Sequence, residues 1–221
     1  MNDSTTPSFD RLARAYRWME YLSFGTILER CRFRFLQECR GSRRALVLGD
    51  GDGRFTARLM QANRSVLIDA VDASPAMLQE LRRRVAHLSP HSIARLQTIH
   101  ADIRRFSPPG EDYDLVVSHF FLDCLTNCEV DELIDRTLPS LGPRCRWLVS
   151  EFCIPEKGGR RIAARLLVRW LYFAFHKLTH LQADAIPDYS AAFIRHGFCR
   201  QRQVPFLGGL LSAELWERKV R

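Results

Sequence analysis

Residues 45–53, ALVLGDGDG, constrain the fold more than any other stretch of the chain. The apolar run Ala45–Leu48 breaks off into three alternate glycines, Gly49, Gly51 and Gly53, and a helix-like stretch, Phe55–Gln61, follows at once. Glycine is demanded where a chain must turn sharply and where a ligand lies against bare backbone. Spaced glycines also serve ordinary turns, so the loop needs supporting residues before it implies a site.

The rest of the chain keeps the same alternation. Apolar runs at Ser65–Val71, Arg95–His100, Asp114–Ser118 and Trp147–Phe152 read as strands. Between them, helices are expected from Ser74-Pro75 to about Leu88 and over Glu129–Leu138, the first with Ser74 as N-cap and Pro75 at the first helical position. Helices are also expected over Phe9–Tyr21, Thr26–Cys39, Gly158–His180 and Asp188–His196, with final strands at Cys199–Val204 and Leu211–Arg218. Strands alternating with helices imply parallel pairing through right-handed crossovers, an α/β doubly wound, Rossmann-like sheet. No linker or internal repeat divides the chain. Residues 1–221 are therefore expected to form one domain, with an N-terminal helical lid (1–41) on a core (42–221) that carries an inserted helix, 158–180.

At 221 residues the chain can bury a core without staples. The seven cysteines include no C-x-x-C pair, and MNDSTTPSFD is unlike a secretory n-region, so reduced thiols in a cytoplasm are expected. No metal site is expected, since Cys124 and Cys128 alone do not make one. The net charge of +8 is spread along the chain as scattered arginines, which disfavours a nucleic-acid partner.

Asp72 ends the second strand, where a carboxylate falls beside the glycine loop and can accept from both hydroxyls of a ribose. It equally suits a helix cap. Ala73 follows it on the same turn. Asp102, after the next strand, is placed to accept from an adenine amine, with Ile103 as an apolar neighbour for the ring; its alternative is a loop or N-cap residue. A dinucleotide prefers G-x-G-x-x-G, whereas this loop is G-x-G-x-G and carries Asp50 and Asp52, which repel phosphate. Those acids suit a ligand with a cationic end. S-adenosylmethionine, with a sulfonium and an ammonium, is favoured over a nicotinamide dinucleotide.

These segments resemble the class I S-adenosylmethionine-dependent methyltransferases. ALVLGDGDGRFTARL (45–59), IDAVDASPAML (68–78), IHADIRRF (99–106), YDLVVSHFFLDCL (113–125) and RWLVSEF (146–152) follow the family's order across about 45–218. The resemblance implies a seven-stranded sheet with an antiparallel last strand, and methyl transfer. It assigns Gly49, Gly51 and Gly53 to the cofactor loop, Asp72 to the ribose and Asp102 to the adenine. The family's acidic residue two positions before the first glycine is Val47 here, and Asp50 is expected to take over part of the ammonium contact. The opening FDRLARAYRWMEYLSFG (9–25) resembles the lid of the quinone-biosynthesis branch, which puts Tyr16 over the cofactor. Residues 151–180 resemble that branch as well.

The acceptor belongs at the loop after the fourth strand, Ser118-His119-Phe120-Phe121-Leu122-Asp123, with Ser118 beside the cofactor. There His119 is a candidate base, and Asp123 a candidate to orient or assist it; packed histidine and helix cap are the plainer readings of the two. Within 160–180, Arg161, Arg165, Arg169, Tyr172, His176 and His180 fall on one helical stripe, beside Trp170, Phe173 and Phe175. Such a helix suits methyl transfer to oxygen or carbon of a hydrophobic small-molecule acceptor, quinone-like or lipid-like, and peripheral membrane contact; it equally suits simple packing over the sheet. The alternatives are an RNA methyltransferase and a nucleoside-binding or scaffold protein without turnover. Oligomeric state is left open.

Overall fold

A computed structural model describes residues 26–153 and 187–219. The lid helix expected over 9–21, Tyr16 and the helix expected over 158–180 lie outside the described residues.

Seven strands form one sheet: β1 (Arg44–Leu48), β2 (Leu67–Asp72), β3 (Leu96–His100), β4 (Tyr113–His119), β5 (Leu141–Phe152), β6 (Phe198–Phe206) and β7 (Leu211–Arg218). Their spatial order is β3-β2-β1-β4-β5-β7-β6. The first five are parallel, and β7 runs antiparallel to both β5 and β6. The helices are α1 (Thr26–Arg32), α2 (Arg54–Ala62), α3 (Pro75–Ala86), the short α4 (Pro90–Ile93), α5 (Asn127–Thr137) and α6 (Tyr189–Arg195).

Because successive residues of a strand point to opposite faces, the apolar strands supply two cores. On one face Val47, Ile68, Ala70, Leu115, Val117 and Leu148 pack against α1, α2 and α3 through Cys31, Phe55, Leu59, Leu81 and Val85. On the other, Leu46, Leu48, Val116, Trp147 and Val149 meet α5 and α6 through Val130, Leu133, Ile134 and Phe193. The cap expected at α3 is present: Ser74 Oγ accepts from the Met77 amide at 3.3 Å, with Pro75 in the first turn.

Two elements differ from the sequence expectation. The helix expected over Thr26–Cys39 stops at Arg32 and resumes as a 3-10 turn, Leu36–Cys39. An unbroken α-helix sets residues 33 and 35 about 200° apart. The break lets Phe33 stack on Phe55 while Phe35 is buried. Strand β5 also begins at Leu141, ahead of the expected Trp147. Gly142 and Pro143 lie in the stretch where its register with β4 shifts between Tyr113 and Leu115, so turn-like residues hide the strand's start.

Candidate active site

All three loop glycines have positive φ: +65° at Gly49, +57° at Gly51 and +78° at Gly53. Their surroundings separate their roles. A Cβ at 49 would overlap the Phe121 ring, and one at 53 would come within 2.5 Å of Leu81 Cγ. At 51 the nearest atom is Met77 Sδ, 3.8 Å away, so Gly51 is the loop glycine with room above its backbone. Gly49 and Gly53 thus seat neighbours, while among the described residues no side chain crowds the Cβ direction at Gly51.

Asp72 ties this loop to the next one. One carboxylate oxygen accepts from the Gly51 amide (3.3 Å) and the other from the Ser74 amide (2.8 Å). Burial pushes its pKa up, opposed by those amide bonds and by His100. Ala73 is exposed beside it, its carbonyl 3.1 Å from His100 Nε2. Asp102 is exposed at the end of β3, accepting from the Arg104 amide at 3.0 Å. Ile103 is buried in the α5-side core.

The two loop acids are turned into the protein. Asp50 accepts from the Phe55 (3.3 Å) and Thr56 (2.8 Å) amides and so caps α2, the helix that opens after the glycines. Burial raises its pKa, with Arg32 and the amides opposing. Asp52 pairs with Arg84 (2.8 Å) and Arg54 (3.3 Å). The repulsion of phosphate expected from both is therefore largely met within the protein, and an ammonium contact at Asp50 would compete with the α2 cap. Val47 lies in the core facing α1–α3.

Past β4 the polar groups divide between the two faces. Ser118 is fully buried, and its hydroxyl accepts from Trp147 Nε1 at 3.0 Å, on the α5 side. His119 faces α1, edge-on to Phe55 at 4.6 Å between ring centroids. Its Nδ1 lies 2.8 Å from Ser150 Oγ, and that hydroxyl donates to the Cys31 carbonyl at 3.4 Å. Among the described residues, Nε2 is buried without a partner. Burial, aided by the positive charge of Arg32, holds the ring well below the usual imidazole range, hence neutral. Ser150, and not Asp123, orients His119.

Asp123 lies in the 3-10 turn Leu122–Cys124, where the Cys124 thiol reaches its Oδ1 at 3.5 Å. Burial raises it to about 6. Facing this turn is Glu151, fully buried at the end of β5, which accepts from the Phe121 and Leu122 amides. Sequence reasoning passed over Glu151 and Ser150. The available signal was a charged residue ending the buried run Trp147–Ser150, where an acid is either paired or functional.

All seven cysteines are free. Among the described residues no group of three or more His, Cys, Asp or Glu is placed to hold a metal ion, and no helix is long and apolar enough to cross a membrane.

The strand order, the antiparallel β7 and the glycine loop at the carboxyl ends of β1 and β2 define a class I methyltransferase fold. Residues 45–144, a little under half of the chain, match the family model of a methyltransferase domain. Over 80 residues it is 38% identical to the malonyl-[acyl-carrier protein] O-methyltransferase of Halorhodospira halophila, covering 36% of this chain and 25% of that one. The chain thus spans about a quarter of the length of that curated relative. The solved mitomycin 7-O-methyltransferase superposes with a TM-score of 0.69 at 17% identity, over 96% of this chain and 60% of that one. The N-methyltransferase NodS of Bradyrhizobium japonicum gives 0.58 at 14% identity, over 95% of this chain and 98% of that one. At these identities the solved structures bear on the fold alone.

Among the described residues, those on the nucleoside side fit S-adenosylmethionine: a Cβ at Gly51 would meet nothing closer than Met77 Sδ at 3.8 Å, and the Asp72 carboxylate accepts the Gly51 amide beside it.

Proposed function

We propose that the protein transfers the methyl group of S-adenosylmethionine to an oxygen of an apolar small molecule, quinone-like or lipid-like. The observation that carries this reading is the Gly51 backbone, uncrowded in its Cβ direction among the described residues and bridged to the Asp72 carboxylate at the sheet edge. Gly51 and Asp72 would hold the nucleoside, and Asp102 would reach its base. The bound cofactor supplies an electrophilic methyl on sulfonium, so the protein's task is chiefly to align an acceptor and receive its proton. Asp123 takes the role of base in this reading: burial raises it to about 6, close to working pH. His119, neutral and held by Ser150, flanks the same loop from the opposite face.

Oxygen as the methylated atom is supported by the name of a similar protein, the malonyl-[acyl-carrier protein] O-methyltransferase. Calorimetric titration with S-adenosylhomocysteine tests the nucleoside site. Label from methyl-tritiated cofactor should then enter the organic-extractable small molecules of a cell extract. Label in RNA instead, or no heat of binding, would overturn the reading.

A further inference from the structure

Glu151 has no place in the reading so far, yet its carboxyl is the most unusual polar group on the acceptor edge. The side chain is fully buried. Oε1 accepts two amide hydrogens, from Phe121 at 2.9 Å and Leu122 at 2.7 Å, both in the turn that carries Asp123. Among the described residues, Oε2 is buried with no hydrogen-bond partner. A charged carboxylate in such a setting would be severely penalised, so burial favours the uncharged acid. With Oε1 occupied by two donors, the acid hydrogen belongs on Oε2, and there it meets no protein acceptor. Buried polar groups in folded proteins are nearly always paired, and an orphan in a candidate site calls for a ligand. The nearby negative charge of Asp123 acts in the same direction, lifting Glu151 well above the usual carboxylate range.

We propose that Glu151 is a substrate-binding residue of the acceptor site, gripping through Oε2 the hydroxyl oxygen of an apolar phenol or enol whose proton Asp123 receives. This rests on the methyl-transfer reading above and names its acceptor class. The atoms balance. The acceptor oxygen gains a bond to the methyl carbon, and the sulfur–carbon bond breaks with its electron pair left on sulfur as the thioether. The hydroxyl hydrogen ends on the Asp123 carboxylate. Glu151 stays uncharged throughout, stabilising the oxygen as it loses its proton. A protonated amine has no lone pair for Oε2–H, so the pair selects hydroxyl acceptors over such amines.

The test uses infrared difference spectra of the full chain with S-adenosylhomocysteine bound, wild type minus Glu151→Gln. The variant keeps an oxygen for the two amides, and its melting temperature reports whether the turn survives. At pH 7 a protonated-carboxyl band assigned to Glu151 is expected. It should shift to lower wavenumber on adding 1-naphthol and stay put with naphthalene. Asp123→Asn should lower the pH at which that band is lost. No band at pH 7, or a band unmoved by 1-naphthol, overturns the proposal. Calorimetry of wild type with S-adenosylhomocysteine is run alongside: no binding there ends the methyl-transfer reading, while the band still judges the state of Glu151.

Discussion

The two ends of the candidate site are built on opposite principles. On the nucleoside side every carboxylate is engaged: Asp72 by two amides, Asp50 by the first turn of α2, Asp52 by Arg54 and Arg84. On the side past β4 and β5, among the described residues, two buried polar atoms, His119 Nε2 and Glu151 Oε2, lack partners; beside the glycine loop the Thr56 hydroxyl lacks one too, but none of the carboxylates there does. A satisfied frame holds its shape before a ligand arrives. A frame with unpaired buried atoms gives up stability that a ligand can restore. The difference teaches that rigidity and reactivity are assigned here to neighbouring strand ends of one sheet.

The comparison breaks most sharply at Gly53. Alanine there meets a positive φ and Leu81 together, and should cost about 3 kcal/mol of stability; a drop of several degrees in melting temperature would register it. Replacing Asp72 with alanine removes the acceptor of two amides and the expected ribose contact. Affinity for S-adenosylhomocysteine should fall by roughly 100-fold in calorimetry, or about 2.8 kcal/mol.

The acceptor side should answer with the opposite sign. Asp123 has a folded-state constant of about 6, above its usual 3.8. The folded protein therefore binds the extra proton between these values, and stability falls as pH rises through that window. Asp123→Asn removes that loss, so the variant should melt above wild type at pH 8 and close to it at pH 4.5. Equal melting at pH 8 would dissolve the contrast between the two sides. His119 works in the reverse sense: its constant is depressed on folding, so its contribution is present above the ordinary 6.5 and fades as pH falls below it. The smallest effect is expected at Ser118, whose hydroxyl serves Trp147. Ser118→Ala should cost about 1 kcal/mol and leave nucleoside affinity unchanged; a weakened affinity would return Ser118 to the cofactor site.

Much of the nucleoside side was legible in the sequence because its logic is local. A glycine's φ, a strand's closing aspartate and a Ser-Pro cap all act within a few residues, and the loop, Asp72 and Ser74 lie along the edge expected of them. The sequence misled where a side chain's partner was distant or its direction free. Asp50 reads as ligand-facing until the amides of α2 are seen to hold it. His119 and Asp123 stand close in sequence, yet His119 turns to Ser150 while the turn that carries Asp123 gives the Leu122 amide to Glu151. Ser150 and Glu151 lie about 30 positions from the groups they bind, and no periodicity reports such pairings. The break after Arg32 was hidden for a similar reason, since Phe33 and Phe35 each answer to separate parts of the core.

The Phe121 ring rests where a side chain at position 49 would begin. Bulk at these two positions is consequently a shared quantity. A methyl added at 49 must be matched by volume removed at 121, and Phe121 lends its amide to Glu151. Natural variants of this domain should exchange size at 49 and 121 together, and a variant that changes one alone should disturb both halves of the site at once.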